Sequence, residues 1–521
     1  MSKMLHSSGA VAVATLMSRV LGFLRESAYS GFFGTTPEAS AFYLAFTIPN
    51  LLRRLLGEGA LTSVFVPVFT QKERAEGLEA TWRGAAAVVA AVVLVCTVLV
   101  VAGMLVCTVL VEGTPLEWRR ELMLRLLRVM LPYSVFVCTA AVFISMLNAR
   151  GQFFLPALGA ATMNIVMIGS VYLIAPLFGP NLDQQVYGLG VGVVISGGVQ
   201  AAFQVPALLK QGFRFRWVNP WRDPTVRETA RRLLPATIGV AAYQLNVVFT
   251  QLIADSQAGF VVASFNYAIR LMELPQGVIG VSLATFLLTE LSRCAADKKY
   301  AEFREALRRG MLYLVFINAL ATVLLVVLAE PMIRLLFQHG RFDATSTIRA
   351  SSALVGLAPG LIAASVNSMM ARAFFALDDT KTPMRIGVFC LALNLVLVLF
   401  LVAPLLQLGL AVANSISALT NTALLLYAFR RKMPKFSLVD LRTPVLKMLG
   451  LAVLAGALAW SGSAAWEAWI GHAGKLRQCG AVFAPLMLAS LAYLSGGVAF
   501  RMPEALELRD MLLRRRRSNE P

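Results

Sequence analysis

The sequence predicts an all-α integral membrane protein of about fourteen transmembrane helices, arranged as two six-helix lobes around a central cationic cavity, with two extra C-terminal helices. Three observations predict it. Of the 521 residues, 58% are hydrophobic and 14% charged, against roughly 25% charged in a soluble domain; there is too little polar surface to cover a water-soluble globule of this size. Apolar stretches of about 20 residues, the length that crosses a bilayer as a helix, recur along the whole chain. Basic residues concentrate in alternate connections, the bias that orients such proteins with those connections in the cytoplasm.

In chain order, the first span covers Ser8–Phe33. Its start, Lys3 followed by GAVAVATLM, resembles a cleaved leader, but the apolar pattern continues through SRVLGFL to Phe33 as a full span does. The second span, Ala39–Phe69, is long and charged. Uncharged spans follow at Gly84–Val111, Val129–Ala149, Gly151–Asn181, Gln184–Leu209 and Leu233–Ala254. Gly259–Thr289 is again long and charged, and Gly310–Ala329 and Ala350–Ala371 come next. The stretch Ile386–Phe429 breaks at APLLQLG into two spans, and Met448–Trp466 and Gln478–Phe500 complete the set.

This order divides the chain into residues 1–210 (first lobe), 211–436 (second lobe), 437–500 (the last two spans) and 501–521 (a basic cytoplasmic tail). Both termini are expected in the cytoplasm, with KQGFRFRWVNPWRDPTVRETARR, DKKYAEFREALRRG, RRKMPKF and the RRRR of Arg514–Arg517 on the same side. The net charge of +19 is then mostly this bias, and its dispersal over connections calls for no nucleic-acid partner. Two segments between prolines, PYSVFVCTAAVFISMLNARGQFFLP from Pro132 and PGLIAASVNSMMARAFFALDDTKTP from Pro359, have equal length and map span 4 onto span 10. They suggest a parallel repeat of two lobes with a site between them.

Charges inside spans carry the functional reading. One charge near the bilayer centre costs about 2.5–3.5 kcal/mol on insertion scales. The first span carries Arg19, Arg25 and Glu26, the second Arg53, Arg54 and Glu58, the eighth Arg270 and Glu273. Arg19 and Glu26 lie two helical turns apart on one face; Arg54–Glu58 and Arg270–Glu273 have the spacing of helical ion pairs. Glu26, Glu58 and Glu273 read as carboxylates that orient arginines, and Arg54 as a local ion pair. Arg19, Arg25, Arg53 and Arg270 leave positive charge in excess, which should face water or an anion. Pro49, Gly57, Gly59, Pro275, Gly277 and Gly280 make the two charged spans bendable, as alternating access requires. Arginine stays charged at membrane depth and grips phosphate through two hydrogen bonds, so a phosphate or diphosphate is the expected substrate.

The stretches SRVLGFLRE, IPNLLRRLLGEGALTSVFVPVF, RLMELPQGVIGVSLATFLL and LDDTKTP closely resemble signature segments of the MurJ (MviN) lipid II flippases, relatives of the MATE exporters. The resemblance implies a V-shaped pair of lobes around a cationic cavity and a groove for a polyprenyl tail on the last two helices. It implies transport of undecaprenyl-diphosphate-linked disaccharide-pentapeptide from the inner to the outer leaflet of the bacterial cytoplasmic membrane. Phospholipids and other cell-wall synthesis proteins are the partners it suggests. Arg19, Arg25, Arg53 and Arg270 fall on the family's cavity arginines and Glu273 on its nearby carboxylate. Ile269, Ser40 and Thr47 stand where family members often carry Asp, Asp and Lys. Sodium-binding carboxylates of some members are matched only by Gln244, Asn246 and Asn394. This disfavours sodium coupling without excluding neutral oxygen ligands, and leaves the membrane potential as another driver. No cofactor or metal is expected.

Other classes fit less well. A flippase for another polyprenyl-diphosphate glycan shares the arginine logic. A MATE-like multidrug exporter would need unpaired carboxylates in its cavity. An enzyme of lipid-linked sugars would need an acidic cluster, and the one candidate, Asp378–Asp379, reads as a solvated turn with Thr380 and Thr382 as helix caps. No phosphate-binding GxxxxGK[ST] occurs, and the six cysteines lie singly, without metal-ligand spacing.

Overall fold

Long apolar runs with few internal breakers become long helices, because inside a bilayer the helix satisfies every backbone polar group within itself. The computed structural model describes residues 2–57, 60–276, 290–437 and 439–517, and every regular element among them is helical. In the first half these are α1 (Ser2–Phe33), α2 (Pro37–Gly57), α3 (Ala60–Gly113), α4 (Trp118–Met130), α5 (Tyr133–Ala149), α6 (Phe154–Gly169), α7 (Leu182–Ala202), α8 (Val205–Lys210) and α9 (Pro224–Gln257). Then follow α10 (Val261–Pro275), α11 (Tyr300–Val327), α12 (Ala329–Phe337), α13 (Ala344–Leu357), α14 (Gly360–Ala376), α15 (Lys381–Lys432), α16 (Val439–Trp469), α17 (Lys475–Ala499) and α18 (Pro503–Arg517).

Each predicted span overlaps a described helix, although the latter half of Gly259–Thr289 lies outside the described residues. Among the described residues seven helical stretches are long and apolar enough to cross a bilayer, or up to nine if each of two bent pairs counts as one span. Val98, Leu105 and Val109 on α3 are exposed, as side chains are that lipid rather than water covers. The helices break where their sequences direct. α15 turns at Leu406, two residues after Pro404, inside the predicted APLLQLG break; α3 turns at Gly77, with φ 81°.

Packing resolves the chain into two compact units, Met1–Ala263 with His339–Phe342, and Ser264–Gln338 with Asp343–Pro521. In the first, α3 lies on α5 and α9, α1 on α6, and α2 on α4 and α5. Its core includes an aromatic run in which Phe69 and Trp82 approach to 5.1 Å between ring centroids and Trp82 and Phe213 to 5.5 Å. The short segment His339–Phe342 belongs to this unit through the end of α1. The Arg341 amide donates to the Gly31 carbonyl at 2.9 Å, its guanidinium to the Phe32 carbonyl at 3.1 Å. Gly340, at φ 58°, makes the approach feasible, since any Cβ there would collide with the Gly31 carbonyl. In the second unit α11 packs on α14 and α16, and α16 on α17, around Phe303, Phe374, Phe429 and Phe436.

The two segments that the sequence pairs share a local geometry. The pair α4–α5 bends by 42° at Leu131–Pro132, and the pair α13–α14 by 43° at Ala358–Pro359. Both bends sit at a proline, which removes a backbone donor and crowds the preceding turn. Both second helices end in the same cap. The Gln152 amide reaches back to the Leu147 carbonyl and the Asp379 amide to Phe374, each at 2.9 Å, a Schellman closure. The left-handed position of this cap is Gly151 in one copy and Asp378, at φ 56°, in the other. Glycine is the cheaper occupant. No heavy atom lies within 4 Å of a Cβ at Gly151, so backbone conformation alone sets the cost there. Gly151→Ala is therefore expected to destabilise by about 1 kcal/mol, and Asp378→Gly to stabilise by about 0.5–1 kcal/mol. Unfolding of the two variants in detergent, measured beside wild type, checks the opposite signs.

Candidate functional site

In the first unit the site is built on α1, where a basic and an acidic residue stand side by side in a helix that would otherwise suit lipid. Glu26 is 2% exposed, and such a charge is tolerated only if opposite charge and donors replace its water. Arg25 supplies the charge, with Nη2 2.5 Å from Glu26 Oε1. The buried Tyr43 on α2 donates its hydroxyl to Glu26 Oε2 at 3.2 Å. The second arm of the guanidinium, Nη1, donates to Asn164 Oδ1 on α6 at 3.0 Å. The Asn164 amide is itself aimed by donating to the carbonyls of Ser18 and Ala160. Three helices thus hold one ion pair.

Arg53 and Arg54 follow on α2, which continues through Pro49 and ends at Gly57. Arg53 is half-buried and donates from Nε to Asn50 Oδ1 at 2.6 Å. The buried Tyr133 stands at the start of α5, its ring centroid 5.8 Å from that of Phe46 on α2. Arg54 reaches the buried Gln244 of α9 at 3.4 Å. Arg19 is exposed on α1, without an ion pair or hydrogen bond among the described residues. The shared face expected for Arg19 and Glu26 does not become a pairing. Glu26 turns into the packed interior and is met by its chain neighbour, whose long side chain can wrap to it where Asn164 and Tyr43 wait.

In the second unit Arg270 and Glu273 on α10 form the expected ion pair, Nη1 to Oε2 at 3.0 Å, part-exposed at 31% and 49%. α10 ends at Pro275. Glu58, Gly59, Gly277 and Gly280 lie outside the described residues. The positions that depart from the family pattern have local work. Ser40 is buried and accepts the Ala263 amide at 3.0 Å. The Thr47 hydroxyl lies 2.8 Å from the Tyr43 carbonyl and 3.0 Å from Gln251 Oε1. Gln244 and Asn394 are buried, and no group of three His, Cys, Asp or Glu side chains fit to hold a metal occurs among the described residues.

The acidic turn differs from its expected form. Neither Thr380 nor Thr382 caps α15; the Asp379 carboxylate does, accepting the Thr382 amide at 3.0 Å and pairing with Lys432 Nζ at 2.8 Å. Carboxylate outcompetes hydroxyl as an acceptor at the positive end of a helix. Asn164, Tyr43 and Tyr133 were missed by a reading that followed charge. Asn164 did leave a signal, as an amide within the apolar stretch ATMNIVMIG.

The fold is shared with solved structures of membrane transporters. An inward-facing multidrug resistance MATE family transporter superposes with a TM-score of 0.65 at 15% identity, over 82% of this chain and 99% of that one. The solved structure of the lipid II flippase MurJ in an inward closed conformation superposes with a TM-score of 0.78 at 22% identity, over 94% of this chain and 98% of that one. Residues 29–477 match the family Lipid II flippase MurJ. The probable lipid II flippase MurJ of Vibrio cholerae serotype O1 is 33% identical over 491 residues, 90% of this chain and 91% of the relative. The lipid II flippase MurJ of Burkholderia cenocepacia is 32% identical over 428 residues, 80% and 82% of the two chains. The chain belongs to the MurJ family of lipid II flippases.

Two outcomes follow from this geometry. Arg25→Ala and Glu26→Ala should each destabilise by about 3–5 kcal/mol, because each strands a buried charge. The double variant should cost clearly less than the sum, whereas the exposed Arg19→Ala should shift stability by under about 0.5 kcal/mol; a double-mutant cycle on unfolding in detergent reads both. Lys432 and the Thr382 amide hold the Asp379 carboxyl down at about 2, against an ordinary 3.8. The folded state therefore binds that proton more weakly than the unfolded chain. The stabilisation is complete above about pH 5 and is lost as the pH falls through 3.8 toward 2. The difference in melting temperature between wild type and Asp379→Asn should shrink steadily from pH 5 to pH 3.

Proposed function

We propose that this protein moves lipid II, the undecaprenyl-diphosphate-linked peptidoglycan precursor, from the inner to the outer leaflet of the bacterial cytoplasmic membrane by alternating access. It makes and breaks no covalent bond. Membership of the MurJ family supports the substrate. The observation that carries the mechanism is the tethered Arg25: its guanidinium is fixed by Glu26 at 2.5 Å and Asn164 at 3.0 Å. A cation held before the ligand arrives avoids the cost of ordering a flexible side chain on binding. Arg53, half-buried on α2, adds a second cation to the first unit.

Arg19, Arg25, Arg53 and Arg270 meet the diphosphate during passage, with Glu26, Glu58 and Glu273 orienting them. Pro49, Gly57, Gly59, Pro275, Gly277 and Gly280 provide the bending of the two charged spans. Residues 1–210 and 211–436 act as the two lobes, although residues 211–263 pack with the first compact unit, and α16 and α17 carry the polyprenyl tail. Both termini face the cytoplasm. A diphosphate with about two negative charges gains roughly 4–5 kcal/mol on moving outward at 100 mV, interior negative, so the membrane potential is a sufficient driver without a bound ion.

The test is outer-leaflet exposure of lipid II in cells depleted of their own flippase and supplied with wild type or Arg270→Ala at equal expression. Wild type should restore exposure and the variant should lose most of it. Failure of well-expressed wild type to restore exposure would redirect the substrate to another polyprenyl-diphosphate glycan. Full restoration by the variant would remove Arg270 from the mechanism.

A further inference from the structure

The second unit carries a cavity of about 890 Å³ that the translocation mechanism does not use. Its size is within the range of small-molecule sites. One wall is the segment entering α11, with Lys298, Lys299 and Arg304; the other is the turn after α15, with Lys432 and Lys435. Leu377 and Met433 give it an apolar side.

The charge in this cavity is unbalanced. Lys432 is answered by Asp379 at 2.8 Å and Lys299 by the exposed Glu302 at 3.6 Å. Lys298, Arg304 and Lys435 form no ion pair among the described residues. The general tendency of connections on one side of a membrane to be basic accounts for positive charge on this face, not for its convergence on a concave site. Helix polarity separates the two walls further. Lys432 closes the C-terminal end of α15, where a cation is favoured. Lys299 is the N-cap of α11 and Lys298 precedes it, where the helix already presents partial positive charge and a cation is disfavoured. Lys298 also occupies a left-handed position, φ 56°, closing the turn in which the Lys299 amide bonds the Cys294 carbonyl at 2.8 Å. Glycine would serve better there. Cations gathered against a positive helix end, around an open volume, are relieved by an anion.

We propose that this cavity is a binding site for a phosphate-bearing anion, gripped by Lys298, Arg304 and Lys435 against the N-terminal end of α11. It lies where α11 begins and α15 ends, in connections that the distribution of basic residues assigns to the cytoplasmic side of the membrane. The phosphate can therefore come from an anionic phospholipid of the adjoining leaflet or from a soluble phosphorylated compound; the chemistry of recognition is the same.

Lysine acetylation of the full chain in nanodiscs, read site by site by mass spectrometry, tests it. One arm compares discs of phosphatidylcholine alone with discs containing phosphatidylglycerol; the other adds inorganic pyrophosphate to the phosphatidylcholine discs. Lys298 and Lys435 should be protected at least about fivefold in one arm, while the exposed Lys210 of the first unit keeps its rate, because site binding shields specific amines and ionic screening does not. Protection in the lipid arm assigns a headgroup, and protection by pyrophosphate assigns a soluble ligand. Arg304→Ala should raise the half-protecting concentration about tenfold, the scale of one charged hydrogen bond. No protection in either arm, equal protection of Lys210, or an unchanged midpoint in Arg304→Ala overturns the proposal.

Discussion

A charged group inside a membrane protein must be given back the solvation it loses, and the first compact unit is organised around that requirement. Glu26 cannot remain ionised in apolar packing without a cation, and Arg25 cannot remain beside it without acceptors for its second arm. The solution recruits α1, α2 and α6 together, through Tyr43 and Asn164. What looks like an expensive insertion into an apolar helix is thereby a tie between three of them. Fixing the guanidinium for structural reasons also prepares it to meet an anion.

The same economy appears in the bends. Proline at Pro132 and Pro359 bends a helix pair by nearly the same angle, 42° and 43°, and each pair then closes with the same backbone cap. A proline that breaks a helix under lipid leaves backbone groups exposed unless neighbouring structure satisfies them. Repeating one solved arrangement is therefore cheaper than solving it twice. The side chains have diverged more than the backbone: Gly151 became Asp378 at the strained position, and the neighbouring Asp379 took on capping α15 and binding Lys432.

Charge outside the apolar helices is disposed in two ways. Much of it forms local pairs along a helix, such as Arg232 with Glu228 and Arg308 with Glu305, worth little individually when exposed. A smaller part is set without partners around a concave volume at the ends of α11 and α15. The first kind disperses charge and suits solubility of the connections. The second concentrates it and suits recognition.

The sequence by itself determined the class of protein, where long apolar helices run, two of the bends in them and which residues bring charge into apolar helices. These properties depend on local composition and spacing: hydrophobic length sets a span, proline a bend, and an arginine in an apolar run declares itself. Only the tertiary structure decided which charges are spent on each other. Arg19 and Glu26 share a helical face on paper, yet Glu26 is buried with Arg25 while Arg19 stays exposed. Thr382 looked like a cap and instead gives its amide to Asp379. Asn164, far along the chain from Arg25, turned out to hold its guanidinium. Pairings of this kind depend on which helices become neighbours, and the energy of a hydrogen bond or ion pair depends on burial and on distances of a few ångströms. Neither quantity is written in the spacing of residues along one helix.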